Sequence, residues 1–499
     1  MENKWLHILL YTPEDPMYFT SSLFWVMLAV VLLVYSFFYK KPVMRNAYLL
    51  VVSLFFYYKA GGLFFFMLVV STLADYFIGK AIFRSSDGYR KKAWLILSIV
   101  VNLSILFYFK YAYFISDLLS GLLNHDIGVT NYLALFWNEL SGATLDIDHI
   151  ILPVGISFYT FQTISYSVDV YRGQVKPVTS LLDFGFYVSF FPQLVAGPIV
   201  RAASFIPQLY QKYKLTRRQM WHAVYLILGG LLKKMVVADF LAVQVVDKVF
   251  QSPAYYSGFE NLLSIYSYSV QIFFDFSGYT DIAIGVALLL GFKLPVNFNA
   301  PYQSVSITDF WRRWHISLSS WLRDYLYIPM GGNRHGKLRQ NINLMITMVL
   351  GGLWHGAHWR FLIWGAYHGI LLVIEKLLPN RGQSTRLWIR RLFTFHLITI
   401  GWVFFRAETP QVGFNMFKQI FTSFGGGSFD SLFPAYGLSL IILIISFLFI
   451  LVPTGWIENF RGRFITWPYW LKIVSMMAVL FIIYMFQSSE LVPFIYFRF

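Results

Sequence analysis

The chain has 499 residues, of which 57% are hydrophobic and only 13% are charged. Soluble domains carry about 25% charged residues, so this composition argues against a soluble multidomain protein. The formal net charge of +16 would indicate nucleic-acid binding in a soluble protein, but short basic loops facing the cytoplasm explain it better here. The absence of cysteine excludes disulfides, thiolate metal sites and a cysteine nucleophile.

Apolar runs recur from the N-terminal region onward, for example in residues 22–38, 438–452 and 473–486. Runs of about 20 residues can cross a bilayer as helices, and β-barrels instead show short alternating segments. The pattern therefore predicts an all-α polytopic membrane protein with roughly eleven spans, some of the short runs being re-entrant. We expect the first span to be retained, because no small-residue cleavage site follows it.

Charge divides the loops into two sets. The basic segments are 40–45, 80–92, 201–218, 334–339, 376–391 and 461–463. By contrast, residues 117–149 contain acidic residues and no lysine or arginine, and residues 407–435 contain few cations. The positive-inside rule places the basic set in the cytoplasm and the other set outside, together with the part of the chain that precedes the first span.

The stretch "GGLWHGAHWR" (351–360) places His355 and His358 between two apolar runs. Basic segments before and after it predict a hairpin that enters from the cytoplasm and returns. Residues 341–353 form about 20 Å of helix at ~1.5 Å per residue, short of a hydrocarbon core of about 30 Å. His355 should therefore lie deep in the membrane, and the neighbouring glycines suit a tight turn or a close backbone approach.

Three histidines of this region have structural alternatives. His355 could simply hydrogen-bond a neighbouring helix, although ionisable groups inside membranes are functional candidates by default. His358 adjoins a tryptophan and an arginine, which is typical of an interfacial residue. His368, within "GAYHG", more often serves helix packing.

A second informative stretch covers residues 297–337. Ser306 and Asp309 form a helix start signal, and we predict one helix from about Ile307 to Tyr327. Arg312 and Arg313 lie on its polar side, and the other side is aromatic. This helix is too polar to span, so it is interfacial or faces a water-filled cavity. Its cations either contact lipid phosphates or bind an anionic, nucleotide-bearing substrate.

A third cluster, in residues 264–291, carries Asp275, Ser277, Tyr279, Thr280 and Asp281 in an otherwise apolar run. Aspartates there are costly unless they are paired or hydrated, and Arg312 or Arg313 are the partners that we expect. Structural pairing is favoured over direct chemistry.

No phosphate-binding loop, H-E-x-x-H zinc motif or G-x-S-x-G nucleophile motif is present in the sequence. A histidine without a serine or cysteine partner suits general-base work on a hydroxyl group. From the residues alone, an acyltransferase and a proton-coupled transporter both stay open.

The motifs "DFWRRWHISLSSWLRDYLYIPMGG" and "GGLWHGAHWRFLIWGAYHG" resemble the membrane-bound O-acyltransferase (MBOAT) family. The resemblance is closest to the branch containing the membrane subunit of alginate O-acetylation. It runs from about residue 20 onward and includes "LPVGISFYTFQTISYSVDVYRG", "FFPQLVAGPIVR", "QIFFDFSGYTDIAIG" and "PFIYFRF". It implies one integral-membrane domain (1–499, core about 150–410) forming a helical ring around a central funnel, in the cell (inner) membrane.

The resemblance also implies the site. His355 corresponds to the family's catalytic histidine, and His315 to a second histidine often essential in this branch. The expected substrate-binding residues are Trp354, Arg312, Arg313, Trp314, Asp275, Ser277, Tyr279 and Asn299. The implied donor is acetyl-CoA or another acyl thioester in the cytoplasm, with no bound cofactor or metal. The implied partners are a polysaccharide acceptor, an extracytoplasmic SGNH-hydrolase-like acetyltransferase and membrane lipid, with no nucleic acid.

Three alternatives remain at this point. One is D-alanyl transfer from a carrier protein to teichoic acid. Another is peptidoglycan or a different polysaccharide as acceptor. The third is a transporter or flippase that uses His355 as a proton relay, which would move its substrate without consuming a thioester.

Overall fold

The computed structural model describes residues 9–13, 15–142, 146–194, 197–378, 386–425, 429–487 and 492–495. Within those ranges the chain is helical and contains no β-strand, so the predicted all-α class is confirmed. Parts of the predicted loops 117–149, 376–391 and 407–435 lie outside the described residues. The same holds for residues 195 and 196 of "FFPQLVAGPIVR" and for residues 496–499 of "PFIYFRF".

The N-terminal part consists of long helices followed by shorter ones. They are α1 (Ser22–Phe38), α2 (Pro42–Gly61), α3 (Phe65–Arg84), α4 (Gly88–Leu123), α5 (Tyr132–Ser141), α6 (Ile156–Tyr171), α7 (Leu181–Ser189), α8 (Phe191–Leu194) and α9 (Ala202–Leu209). A 3-10 turn, Gly62–Phe64, joins α2 to α3.

The remainder begins with α10 (Arg217–Leu231), α11 (Asp239–Leu241), α12 (Asp247–Gln251) and α13 (Gly258–Leu289), with π-helical turns at Leu232–Ala238 and Ala242–Val246. Next come α14 (Ile307–Arg313), α15 (Ile316–Leu322), a π-helical turn at Arg323–Tyr327, α16 (Gly336–His355) and α17 (Trp359–Leu377). The last helices are α18 (Leu387–Arg406), α19 (Pro410–Thr422), α20 (Phe429–Leu451), α21 (Thr454–Thr466) and α22 (Tyr469–Phe486). Short 3-10 turns lie at Pro253–Tyr255 and Pro301–Gln303.

Six helical stretches in the described part of the chain are long and apolar enough to cross a membrane. They are Pro42–Arg84, Gly88–Leu123, Gly258–Leu289, Leu387–Arg406, Leu432–Leu451 and Tyr469–Phe486. The sequence indicated roughly eleven runs. The numbers differ for two reasons. Some apolar runs form shorter helices, such as the 17-residue α1. In addition, α2 and α3 are joined by a 3-10 turn into the single helical stretch Pro42–Arg84. The multi-pass membrane class is confirmed.

The central helix is α13, because 83% of an 18-residue apolar stretch of this helix is buried inside the protein. It begins with a capping box in which Ser257 and Glu260 bond each other's backbone N–H groups. A Cβ atom added to Gly230 of α10 would lie 2.6 Å from the carbonyl oxygen of Gly278. Only glycine permits this backbone approach, which holds α10 tightly against α13.

A buried polar network joins α3, α4 and α6. The Asp75 carboxylate accepts hydrogen bonds from Ser98 Oγ at 2.6 Å, Asn102 Nδ2 at 2.7 Å and Ser167 Oγ at 3.3 Å. Thr163 donates to Asn102 Oδ1 at 2.9 Å. Because polar groups inside a membrane protein are costly unless paired, this network fixes the three helices relative to one another.

Candidate active site

His355 is the last residue of α16, and α17 returns beside it after residues 356–358. The two helices lie very close together. A Cβ atom on Gly352 would lie 2.2 Å from the Phe361 carbonyl oxygen, and one on Gly365 would lie 2.5 Å from that of Met348. The predicted close backbone approach is therefore confirmed at Gly352. It packs α16 tightly against α17 and so fixes the position of the His355 backbone.

His355 is only 4% exposed, and aromatic rings surround its imidazole. Ring centroids lie 5.0 Å away for Trp354, 5.1 Å for Trp364 and 5.1 Å for Phe405. Phe361 is next at 6.5 Å. Packing on several sides limits the ring to a small range of orientations and keeps bulk water away from it.

The C-terminal end of α16 is held by side chains of α4. Lys110 Nζ donates to the carbonyl oxygens of Trp354 at 2.7 Å and His355 at 3.1 Å. Tyr111 donates its O–H to the Leu353 carbonyl at 2.9 Å. Sequence reasoning missed both residues. The only signal available was a lysine in the middle of the apolar helix α4, which is costly at membrane depth without a partner.

His315 interrupts the helix that the sequence predicted from Ile307 to Tyr327. The predicted start is confirmed, because Ser306 caps α14 by accepting the Asp309 N–H. His315, however, has a left-handed backbone (φ 43°, ψ 55°) that separates α14 from α15. The single-helix prediction was wrong, since the Ile316 N–H bonds the Asn297 carbonyl at 2.9 Å instead of continuing the helix. Strained backbone at a non-glycine residue is typical of functional sites.

This turn directs the imidazole of His315 into the core, where the residue is 0% exposed. Its ring centroid is 4.6 Å from that of Phe276 and 6.1 Å from that of Trp354. Trp354 therefore contacts both histidines. The structure brings His315 together with Trp354 and His355, which lie 39 and 40 residues later in the sequence.

A cleft of about 430 Å³ lies between α14, α15, α16 and α17. His355 and Trp364 line its buried part, whereas Arg312, Arg323 and Lys376 are exposed residues of its wall. The remaining lining residues are Thr308, Trp311, Ile316, Leu318, Ser319, Ser320, Leu322, Tyr327, Leu344, Thr347, Met348, Gly351 and Leu372. The cleft thus leads from a cationic opening to a buried imidazole.

The three cations of the cleft differ in their partners. Asp324 pairs with Arg323 at 2.7 Å and with Arg201 at 2.6 Å. Burial alone would raise the pKa of Asp324, but hydrogen bonds from the two arginines outweigh it and lower the pKa. The carboxylate is therefore ionised at neutral pH. In the described part of the chain, Arg312 and Lys376 have no carboxylate within ion-pair distance, so they give the opening its positive charge.

The structure separates several other predicted site residues from this cleft. Arg313 pairs with Asp309 at 2.8 Å, four residues earlier on α14. Trp314 is buried between the rings of Phe310 and Trp402. Asn299 contributes its backbone N–H to the Arg313 carbonyl at 3.0 Å, which supports the turn before His315.

The aspartates of α13 pair with lysines, so the predicted partners Arg312 and Arg313 were wrong. Lys234 Nζ lies 2.6 Å from Asp275, and Lys233 Nζ lies 2.5 Å from Asp281. The lysines reach them because the close approach of α10 to α13 carries the following turn along α13.

Ser277 and Tyr279 of α13 also lie away from the cleft. Ser277 lines a separate cavity of about 170 Å³. Tyr279 is buried and accepts the Phe19 N–H at 3.4 Å.

Residues 492–495 pack beside the Asp275–Lys234 ion pair, which we call the Lys234 group. Nothing in the sequence indicated this contact. The Ile495 N–H donates to Asp275 Oδ2 at 3.0 Å, and Lys234 Nζ lies 3.4 Å from the Pro493 carbonyl oxygen. The Phe494 ring packs 5.6 Å from that of Phe276, which also contacts His315. The segment therefore packs against Phe276, and Phe276 in turn packs against His315.

The other two histidines fit their structural alternatives. His368 is fully buried, with ring centroids 4.8 Å from Trp364 and 5.2 Å from Trp311, as expected for helix packing. His358 is exposed and immediately precedes α17. Within the residues that the structure describes, no three His, Cys, Asp or Glu side chains are grouped to hold a metal ion.

The membrane-bound O-acyltransferase family model matches residues 174–405, which include His315, the Lys234 group and the α16–α17 hairpin. A probable alginate O-acetylase of Azotobacter vinelandii is 41% identical over 399 residues, covering 79% of this chain and 76% of that protein. The chain belongs to the membrane-bound O-acyltransferase family. It is therefore an O-acyltransferase, and its multi-pass helical architecture agrees with this membership.

Two further relatives are less similar in sequence and have different descriptions. A peptidoglycan O-acetyltransferase of Helicobacter pylori is 37% identical over 380 residues, covering 70% of this chain and 68% of its own. A teichoic acid D-alanyltransferase of Bacillus subtilis is 31% identical over 276 residues, covering 51% of this chain and 69% of its own. The relatives are thus described by three different acceptors, which are alginate, peptidoglycan and teichoic acid.

Proposed function

We propose that this O-acyltransferase moves an acetyl group from a cytoplasmic thioester to an extracytoplasmic polysaccharide. The observation that carries the proposal is the cleft, which connects a cationic opening to the buried imidazole of His355. An anionic donor can enter at the opening, and only its thioester end needs to reach the imidazole.

The proposed donor is acetyl-CoA. Its phosphates would bind at Arg312 and Lys376, because guanidinium and ammonium groups recognise phosphate through charge-assisted hydrogen bonds. The apolar wall, including Met348 and Leu372, suits the uncharged arm that carries the thioester. A carrier protein bearing the acyl group on a similar arm is the alternative donor.

In the proposed reaction His355 is the general base. Its neutral imidazole takes the proton of an acceptor hydroxyl while the hydroxyl oxygen attacks the thioester carbonyl carbon. The carbon–sulfur bond then breaks, the imidazolium returns its proton to the thiolate, and an O-acyl ester and a free thiol result. His315 or Trp354 orients or polarises the acyl group, since Trp354 lies beside His355 and His315 lies beside Trp354.

The proposed acceptor is an alginate-like cell-surface polysaccharide, reached directly or through an extracytoplasmic SGNH-hydrolase-like partner whose serine carries the acetyl group. The relative described as a probable alginate O-acetylase supports this choice, because it is more similar over more of the chain than the D-alanyltransferase. The proposed location is the cell (inner) membrane, with the whole chain acting as one domain. Peptidoglycan and D-alanyl transfer remain alternatives.

Thioester turnover by the purified protein tests the proposal. Acetyl-CoA and an acetylated carrier protein would each be supplied with oligomeric alginate, peptidoglycan fragments or teichoic acid fragments, with and without the partner. Release of CoA is read with a thiol reagent, because the chain has no cysteine to react. We expect acetyl-CoA consumption with alginate, and none with His355→Gln protein.

The transporter alternative predicts the opposite pattern. Movement of a polymer or lipid-linked sugar across proteoliposomes, without thioester consumption under any acceptor condition, would overturn the acyl-transfer proposal. Turnover that requires the carrier protein would retain the reaction but replace the donor.

A further inference from the structure

Helix α16 ends at the residue that carries the proposed chemistry. The last four carbonyl groups of any α-helix lack partners within the helix. At many helix ends a glycine in the left-handed conformation turns the chain so that the following backbone N–H groups bond these carbonyls. Gly356 is extended instead (φ −172°), so α16 has no such cap. Its terminal carbonyls, next to His355, are satisfied in another way.

Two consecutive residues of α4 supply the missing donors. Tyr111 bonds the carbonyl of Leu353, and Lys110 bonds those of Trp354 and His355. Lys110 also reaches Ser157 Oγ of α6 at 3.3 Å. An ammonium group has three N–H donors, so all three have an acceptor here.

We infer that Lys110 is a positioning residue, which fixes the end of α16 and thereby the approach of the His355 imidazole to the acyl group. The inference rests on the proposed role of His355 as the base. A cation also suits this position electrostatically, because the C-terminal end of a helix carries a partial negative charge. Lys110 does not line the cleft, so it acts through His355 and not on the donor.

This arrangement predicts an effect on turnover and not on donor binding. Without Lys110, two carbonyls at the helix end lose their donor, and the last turn of α16 frays. A shift of about 1 Å in a reacting group can lower a rate by ~10²-fold. The donor contacts at Arg312 and Lys376 lie on other segments and should persist.

The test compares three purified full-length variants in detergent, with acetyl-CoA and oligomeric alginate as probes. We expect Lys110→Met to lower kcat by ~10²-fold while the KM for acetyl-CoA stays within about twofold. Lys110→Arg should recover at least part of the loss, because a guanidinium group also donates to carbonyl oxygens. A Lys110→Met protein with wild-type kcat would overturn the inference.

Lys472→Met is the matched control. Like the half-buried Lys110, the buried Lys472 donates to a helix-end carbonyl, that of Ile465, at 2.9 Å. Both ammonium groups also lie over a tryptophan ring, that of Trp354 for Lys110 and that of Trp221 for Lys472. None of these residues lines the cleft. We expect this variant to keep wild-type kcat, and an equal loss in both variants would overturn a positioning role specific to Lys110.

Hydrogen–deuterium exchange supplies a readout that does not depend on the proposed reaction. Peptides covering residues 350–358 should exchange faster in Lys110→Met than in wild-type or Lys472→Met protein. Unchanged exchange would overturn the positioning role even if activity fell. If exchange rises while His355→Gln protein stays active, the positioning of α16 stands and the role of His355 falls.

Discussion

At the residue scale, adjacent arginines of α14 have different surroundings. Arg312 is exposed on the wall of the cleft that ends at His355. Arg313 is paired with Asp309, and its Nη1 lies 3.5 Å from the Asn299 carbonyl oxygen. The sequence could not separate the two, because neighbouring positions on a helix differ by about 100° and both fell on the polar side.

Arg312→Gln should raise the KM for acetyl-CoA by about 10- to 100-fold, since a hydrogen bond to a charged group contributes roughly 1.5–3 kcal/mol. The KM for the acceptor should change little, and the effect should diminish at high salt. Steady-state kinetics at two salt concentrations measures this.

Arg313→Gln is the matched comparison for that variant. It should leave the KM for acetyl-CoA within about twofold and lower thermal stability slightly, because a partly exposed ion pair contributes about 0–1 kcal/mol. If Arg312→Gln protein is stable and its donor KM is unaltered, Arg312 does not bind the donor.

His315 and His355 share Trp354 as a neighbour, which suggests that they act as one unit. His315→Asn is the informative variant, because asparagine tolerates the left-handed backbone that His315 adopts. We expect losses of roughly 10²–10⁴-fold for His315→Asn and for His355→Gln. The double variant should lose little more than the worse single variant.

Single-turnover transfer from acetyl-CoA measures these losses. A double-variant defect equal to the product of the two single defects would indicate independent roles. Near-wild-type transfer by well-folded His355→Gln protein would contradict its assignment as the base.

Only part of the candidate site could be predicted at this scale: the structure brings His355 and Arg312 to one cleft, and it separates most of the other predicted binding residues from that cleft. An imidazole in a glycine- and tryptophan-rich apolar segment stands out without any structure. Lys110 did not stand out, because its importance comes from its contact with α16. Its partner there, the His355 carbonyl, is 245 residues later in the sequence. Such contacts have no local sequence signature.

At the element scale, the start of α14 was predictable and its end was not. Ser306 and Asp309 form a local signal that is read from the sequence. The break at His315 depends on bonds that residues 297 and 299 make to the turn. Periodicity continues through the break, since the aromatic spacing on both sides is helical, so the pattern alone predicts a single helix.

The polar network of α3, α4 and α6 is the clearest stability element. Asp75 is 0% exposed and holds Ser98 and Asn102. Asp75→Ala leaves those buried groups without their acceptor, at roughly 1–3 kcal/mol for each unsatisfied group. We expect a lower midpoint of thermal unfolding in detergent.

Asp75→Asn should lose less stability, because an amide can still accept and donate hydrogen bonds. Both variants should keep wild-type kcat well below their unfolding temperatures, since none of the network residues lines the cleft. A lower kcat at unchanged unfolding temperature would instead place Asp75 in the reaction.

At the scale of the whole molecule, basic segments contact one another. The Arg45 guanidinium donates to the carbonyls of Leu209 at 2.6 Å and Gln211 at 3.0 Å, which joins segments 40–45 and 201–218. Arg461 lies 3.5 Å from His222, a few residues beyond the same segment. Folding therefore brings the basic segments 40–45, 201–218 and 461–463 close together, and their position on the cytoplasmic side is the prediction of the positive-inside rule.

Residues in or next to the acidic and neutral segments contact other parts of the molecule. The Gly258 N–H at the start of α13 bonds the Ser423 carbonyl at 2.7 Å, within segment 407–435. The Phe114 ring, near the start of segment 117–149, lies 5.6 Å from that of Trp359, which follows His355. The second contact places the start of α17 beside the C-terminal half of α4, at the end of that helix opposite to the basic segment 80–92. That this side faces outside the cell is the prediction of the positive-inside rule.

Cysteine labelling in intact cells tests this orientation. The chain has no native cysteine, so a single introduced cysteine reports its own side without background. His125 and Lys337 are both exposed, and His125 is preferable to its neighbour Asn124, whose left-handed backbone (φ 49°) disfavours cysteine. A membrane-impermeant thiol reagent should modify His125→Cys and spare Lys337→Cys until the membrane is opened. The reverse pattern would place the cationic opening of the cleft outside, where cytoplasmic acetyl-CoA could not reach Arg312, and would require a different donor.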